Sequence, residues 1–451
     1  MGTQSLPASF TVAPVRSVAS AFDRSGEIVR GAALFRWVAF GMAMTYLFEG
    51  PARYVLMLVH AATLIYLRDV AAFALVAFAM SSWLSGERRL FPLVVAVYVL
   101  LLHLLCGVLT LPSILQPLLG LKVFFTFLFG MSASAAIAER ARLLPGLALA
   151  AFIATACGVG LDVVIDFPWA GEAYESAIAT VQVSREWSSG GVPRLAGFAR
   201  ASFDAATIVL VLIVPLLASR WNVLLRALLW VVAFGTIWLT TSKGALLALA
   251  ALAVWAVLES RGSTKRLVLP WIAFFASVCL ALPIAATQFG YGVRRSDVAG
   301  WLSSFVERID FMWPDALNTW LTHGNLVTGR GLGGIGFAQV TGEWWRYNAA
   351  DNLMIYLLVS FGLFAVLYAG GFLLSLRRTF TTDPSRDVLA RCVRGWALVV
   401  FSYGCTSNMV EQPLMNMVIG VCFGATTMVF ARREVATTRM PTHTAPQTVS
   451  A

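Results

Sequence analysis

Leu90-Phe-Pro-Leu-Val-Val-Ala-Val-Tyr-Val-Leu-Leu-Leu-His-Leu-Leu-Cys-Gly-Val-Leu-Thr110 runs for 21 residues without an Asp, Glu, Lys or Arg. A helix that crosses a bilayer needs ~20 mostly apolar residues, so this stretch reads as a membrane span. Leu267–Ala286 reads the same way. The whole chain follows suit: of 451 residues, 59% are hydrophobic and 12% charged, about half the charge of an ordinary soluble domain. A water-facing surface cannot be covered with that supply, which excludes a soluble enzyme. Lipid offers no partner to an unpaired backbone amide, and no segment alternates apolar and polar as a barrel strand does, so the spans are helices.

Working outward from Leu90, apolar runs recur at 33–48, 52–67, 69–85, 113–133, 143–163, 201–218, 223–240, 243–258, 267–286, 350–375, 393–410 and 412–431. The expected fold is an all-α polytopic membrane protein of about twelve helices, thirteen if every run crosses. The segments 52–67 and 113–133 are the weakest; Pro117 and Lys122 interrupt the latter. The organisation reads as a cytoplasmic tail 1–30, helices 31–163, a first outer loop 164–200, helices 201–286, a large partly helical outer loop 287–349, helices 350–431 and a disordered tail 432–451. Basic connectors, Arg140 with Arg142, Glu259–Arg266, Arg377–Arg391 and Arg432 with Arg433, fix the cytoplasmic side, because cytoplasmic loops accumulate Lys and Arg. Thirteen spans would put the arginine-bearing N-terminus outside; twelve leave both ends cytoplasmic. The N-terminus carries no cleavable signal pattern.

Lys+Arg of 33 against Asp+Glu of 23 gives +10. The positive-inside bias accounts for that surplus, and no basic stripe interleaved with aromatics suggests a nucleic-acid partner. Six cysteines lie in or beside apolar runs without a CxxC pair, and read as small core residues. No His, Cys or carboxylate cluster has metal spacing. His60 and His103 read as core or interhelical residues.

Charge and tryptophan concentrate in 287–349, which holds Arg294, Arg295, Asp297, Arg308, His323 and Arg330 with Trp301, Trp313, Trp320 and Trp344. Guanidinium forks match phosphate oxygens and aromatic faces stack on sugar rings. The alternative is a folded cap with its tryptophans at the membrane interface. Gly329-Arg-Gly-Leu-Gly-Gly-Ile-Gly336 lacks the context of a nucleotide loop, but reads as a tight turn that could bring amides and Arg330 to an anion. Arg194 and Arg200 sit at the boundary where 201–218 begins, either functional or snorkelling. Lys243, in Thr240-Thr-Ser-Lys-Gly244, falls at the outer end of a helix against the charge bias: a functional candidate or an interfacial anchor. Asp351 caps the next helix N-terminus, or acts as a base towards a sugar hydroxyl.

Taken in order, these pieces resemble the O-antigen polymerase and O-antigen ligase superfamily of bacterial inner-membrane glycosyltransferases. Arg194-Leu-Ala-Gly197, Thr241-Ser-Lys-Gly-Ala245, Arg308 with Trp313-Pro-Asp-Ala-Leu317, Thr328-Gly-Arg-Gly-Leu-Gly-Gly334 and the segment Asp351–Gly362 carry the likeness. It implies a GT-C-like multi-helix fold with a periplasmic lid. It also implies a donor glycan on undecaprenyl pyrophosphate and an acceptor glycan, with no cofactor, nucleotide sugar or metal. Arg194, Arg200, Lys243, Arg308 and Arg330 would hold the pyrophosphate. Trp313, Trp320, Trp344 and Asn352 would contact glycan, and Asp351 or His323 would take the acceptor proton. Two departures stand out: Lys243 replaces the usual arginine, and Asp351 replaces the usual histidine. A chain-length regulator, a flippase and export proteins are the implied partners. A ligase differs only in using a lipid A core acceptor. A lipid-linked oligosaccharide flippase or transporter predicts mid-helix charges and broken helices instead.

Overall fold

The computed structural model describes residues 18–87, 90–175, 180–189, 191–261, 264–289, 303–381 and 387–430, with side chains from 31 onward except at 189, 289 and 387. Arg294, Arg295, Asp297, Trp301 and the tails 1–17 and 431–451 lie outside the described residues. The described chain is all-α, apart from two small antiparallel hairpins within 173–193. In chain order the helices are α1 Val18–Leu47, α2 Glu49–Leu58, α3 Leu67–Leu84, α4 Phe91–Thr110, α5 Leu115–Val123, α6 Phe125–Glu139, α7 Leu144–Leu161, α8 Ser202–Ala218 and α9 Val223–Leu239. There follow α10 Lys243–Ser260, α11 Val268–Phe289, α12 Ser303–Glu307, α13 Trp313–His323, α14 Leu353–Phe361, α15 Phe364–Ser375, α16 Asp387–Gly404 and α17 Pro413–Gly424.

Six helices among the described residues are long and apolar enough to cross a membrane, seven if α1 and α2 count as one bent span. Their surfaces require lipid. Along α4, Tyr98 is 68% exposed and Leu109 76%, apolar area that water would not tolerate on a monomer. The interior is built around α8, buried along nearly its whole length, with α10, α16 and α17 beside it. Helices in lipid associate through close backbone approach at small residues. Gly130 of α6 lies against the Met417 and Val421 backbone of α17, Gly424 lies against Met131 and Ser134, and a Cβ on Gly420 would collide with the Phe127 carbonyl.

Three breaks correct the uniform spans expected from composition. Residues 52–67 do not form a span: α2 turns by 83° from α1, and a 3-10 turn, Ala62–Tyr66, follows it. The cause is ionic. Glu49 pairs with Arg53 at 2.6 Å and Arg68 at 3.3 Å, while Asp69 pairs with Lys122 at 3.6 Å. Such a network is satisfied under the first loop and could not be in hydrocarbon. His60 accordingly sits exposed in a turn with φ 54, not in a helix core. Next, 113–133 divides at Phe124 into α5 and α6.

The third break reshapes the large loop. The run 350–375 is split at Gly362, whose φ of 59 suits glycine. A helix broken in lipid must find new acceptors for its amides. The N–H groups of Leu363 and Phe364 donate to the carbonyls of Leu326 at 3.0 Å and Val327 at 3.4 Å. Segment 287–349 is therefore not wholly outside the bundle. Its α13 descends, and the glycine run returns: Arg330 N–H bonds Val359 at 2.7 Å and Leu332 N–H bonds His103 at 3.0 Å. The 9 residues of α14 set the depth of this excursion at about 13 Å. His103 is interhelical as expected, bonded to the Thr328 carbonyl at 3.2 Å. Four cysteines are buried, but Cys106 is half-buried and Cys157 exposed.

Candidate functional site

The ends of α9, α10, α14, α16 and α17 gather where both long loops emerge, hereafter the loop end. At this end Lys243 opens α10, placed there by the turn Thr240–Ser242, in which Thr241 takes φ 57. Gly244 follows it for a spatial reason: a Cβ there would strike the Thr406 hydroxyl. Ser242 and Tyr403 share a hydrogen bond of 3.1 Å, which ties the α10 start to the α16 end.

Arg194 arrives from the first loop. Its N–H bonds the Trp187 carbonyl at 2.9 Å, its guanidinium lies 5.8 Å from the Trp187 ring, and its buried Nε has no partner among the described residues. The following turn is held by Asp162, which accepts the N–H groups of Ala196 at 2.9 Å and Gly197 at 2.8 Å. Arg308 arrives from the second loop, on the π turn Arg308–Met312 between α12 and α13. Its Nη1 donates to the Ser304 carbonyl at 2.9 Å, and its Nη2 meets Asp351 Oδ2 at 2.8 Å. Its Nε is likewise buried and unpartnered among the described residues.

These three cations converge. The charges of Arg194 and Arg308 both act on Lys243. Burial first, and then Arg308, hold the Arg194 guanidinium below its ordinary range. Among the described residues Asp351 is the carboxylate that bears on both Arg194 and Arg308, so these three cations less that one anion carry a net two positive charges. Ala350 and Asp351 both sit at positive φ, 63 and 40, a conformation that costs non-glycine residues of order 1–3 kcal/mol each. The Asn348 side chain holds that kink by accepting the Ala350 N–H at 2.8 Å. An open cleft of about 390 Å³ adjoins it, lined by Phe311, Met312, Asp315, Tyr347, Asn348 and Ala349. Trp344 and Trp345, on the turn leading into this lining, are 71% and 61% exposed.

Several site candidates lie elsewhere. Arg330 is 2% exposed and committed: it donates to the Gly334 carbonyl at 2.6 Å and to both Glu343 oxygens at 2.8 Å. The Glu343 carboxyl, despite burial, is held below its ordinary value by the Gln116 and Arg330 hydrogen bonds. This ion pair pins the descending glycine run and engages both Nη atoms, while the buried Nε has no partner among the described residues. Trp313 and Trp320 are core residues at 0% and 8% exposure, not glycan platforms. Asn352, not Asp351, caps α14, accepting the Ile355 N–H at 3.0 Å. Its amide donates to the Cys279 and Cys405 carbonyls, so it cannot contact a glycan. His323 is exposed at the far end of α13, whose 11 residues span about 16 Å, away from Asp351. Arg200 is half-buried in a neighbouring cluster with Arg53, Glu49, Arg185 and Asp204.

Four residues at the site escaped the sequence reading. Tyr403 faces Arg194. Tyr347 lines the cleft. Arg185 acts on Tyr347 and on Glu411, which accepts the Phe337 N–H at 2.7 Å. A signal for Glu411 existed: it is the one Asp, Glu, Lys or Arg within 395–431, and a charge kept in an apolar stretch marks function. The arrangement can bind a divalent anion beside an aromatic, carboxylate-bearing cleft. No protein-family model matches the chain, and no curated protein matches it.

Proposed function

We propose that the protein is a polysaccharide polymerase of the bacterial inner membrane. It moves a glycan from undecaprenyl pyrophosphate onto the non-reducing end of a lipid-linked repeat unit at the periplasmic face. The observation that carries this reading is the convergence of Arg194, Lys243 and Arg308 on one end of an apolar bundle, with Asp351 as a counter-charge to the two arginines. A pyrophosphate diester carries one negative charge on each phosphate, which complements that net charge of two. When the glycosyl bond breaks, that charge grows, and fixed cations favour the growth.

The membrane arrangement supports the same reading. Six or seven of the described helices are long and apolar enough to cross a membrane; we propose that α8, α9, α14 joined with α15, α16 and α17 cross as well, giving the twelve crossings expected of a GT-C-like polymerase. An even number leaves both termini on one side. Arg140, Arg142, Arg261, Lys265, Arg266, Arg377 and Arg378 then share that cytoplasmic side, and the loop end faces the periplasm. The break at Gly362 has a counterpart in transporters, whose discontinuous helices open onto a midplane site. Here the break is plugged by Leu326 and Val327 of the same chain, which favours a static scaffold over a passage.

The test replaces Arg194 and Arg308 singly with Ala in cells and measures polymer length and protein level. Each change removes one charge-assisted contact made in the transition state, worth about a hundredfold to a thousandfold in rate, so polymer collapses to single repeat units. Long polymer at normal protein level refutes the reading. A purified protein offered lipid-linked repeat units or a lipid A core separates polymerase from ligase.

A further inference from the structure

Asp315 lines the cleft and accepts the Asn348 amide at 2.8 Å; two further carboxylates, Asp351 and Glu411, bear on Tyr347 of the same lining, and they differ in what they already hold. Asp351 is spent on Arg308, at 2.8 Å. The Arg308 Nη2 donor already occupies its Oδ2. Glu411 lies on the turn between α16 and α17 and accepts one amide proton, from Phe337 at 2.7 Å. Among the described residues no Lys or Arg closes an ion pair with it. Space for its carboxyl is kept by Gly336, where a Cβ would run into Glu411 itself and the Tyr356 ring.

We propose that Glu411, rather than Asp351, takes the proton from the acceptor hydroxyl, while Asp351 positions Arg308 against the pyrophosphate. This rests on the glycosyl-transfer reading above. The acceptor oxygen forms its bond to the anomeric carbon as the carbon–oxygen bond to pyrophosphate breaks. The electron pair leaves with the pyrophosphate, and the hydroxyl proton passes to the Glu411 carboxylate and then to outer solvent.

The groups facing Glu411 suit that task. Burial pushes its carboxyl up to about 7, the Phe337 amide opposes the rise, the Asp351 charge adds to it and Arg185 opposes it. Tyr347 and Tyr356 also face it and feel its charge. A general base works best when its proton affinity lies near the operating pH.

The experiment uses the full chain in lipid vesicles with an undecaprenyl-pyrophosphate oligosaccharide as donor and acceptor, following kcat and KM against pH. Glu411→Gln is expected to lower kcat about a hundredfold or more, with donor KM within about threefold of the native protein. The native rate is expected to rise with pH through about 7 and level off above it, and Glu411→Asp to shift that limb. Asp351→Asn acts mainly on donor KM. If Glu411→Gln keeps kcat within threefold and the same acid limb, while Arg308→Ala is inactive, the base assignment falls and the polymerase reading stands. If Arg194→Ala and Arg308→Ala both stay fully active, the reading itself falls and takes this proposal with it. Should Glu411→Gln fail to accumulate, Glu411→Asp decides: an unmoved acid limb overturns the proposal.

Discussion

Arg330 and Arg308 belong to the same loop and carry the same charge, yet replacing each with Ala should have opposite consequences. Arg330→Ala empties a site where the guanidinium is 2% exposed and makes three hydrogen bonds of 2.6 to 2.8 Å. It strands Glu343, whose side chain is 4% exposed, with only the Gln116 amide at 3.0 Å and Arg346 at 3.4 Å. Removing one partner of a buried ion pair costs about 3–5 kcal/mol. At roughly 2 °C per kcal/mol for a large chain, the unfolding temperature should drop by about 6–10 °C. The assay is thermal unfolding of purified protein in lipid or detergent, alongside polymer length in cells. Any loss of polymer should follow loss of folded protein. The double variant Arg330→Met with Glu343→Gln should recover part of the stability, because it removes the uncompensated charge. An Arg330→Ala protein that melts normally but makes no polymer would refute the reasoning, and would return Arg330 to the anion site.

The pH response of the same pair has a defined sign. Glu343 is held below its ordinary value in the folded chain, so its contribution is present above the unfolded pKa of about 4.3 and is lost as pH falls through the folded value; melting temperatures of native protein should fall there, and less so for Glu343→Gln. Gly420→Ala should cost about 2–4 kcal/mol, since its methyl group meets the Phe127 carbonyl; thermal unfolding reads it, and a change below measurement would show that the α6–α17 contact relaxes freely. Trp344→Ala should leave the fold intact and weaken glycan binding several-fold in KM, whereas Trp313→Ala, at 0% exposure, should cost about 3–5 kcal/mol of stability. Equal melting points for the two would contradict their burial.

Aromatic composition could not make that last distinction. Trp313, Trp320 and Trp344 are alike as letters, but α13 turns the first two inward while the turn Trp344–Arg346 leaves the third in solvent. Arg194 and Lys243 were legible because each stands as a cation at the edge of an apolar run, and Arg308 because charge and tryptophan gather in 287–349. Their convergence was expected only through the family likeness, which also included Arg200 and Arg330; they lie on separate elements far apart in sequence, and folding brings together three of the five. Glu411 was legible by the same rule, yet fell in the single-residue gap between two expected spans.

What the chain's composition determined alone was its solvent: with 12% charged residues, lipid must cover the surface, and lipid admits only helices here because every amide must be paired within its own segment. That argument is local, so it can be made residue by residue. Tertiary structure decided where helices break and which charges stay available. Gly362 interrupts its span because Leu326 and Val327 come to accept the freed amides, and Arg330 is neutralised because Glu343 is folded against it. Whether a cation binds a ligand or holds the fold together depends on what lies within about 3 Å of it, and only folding brings those partners into reach.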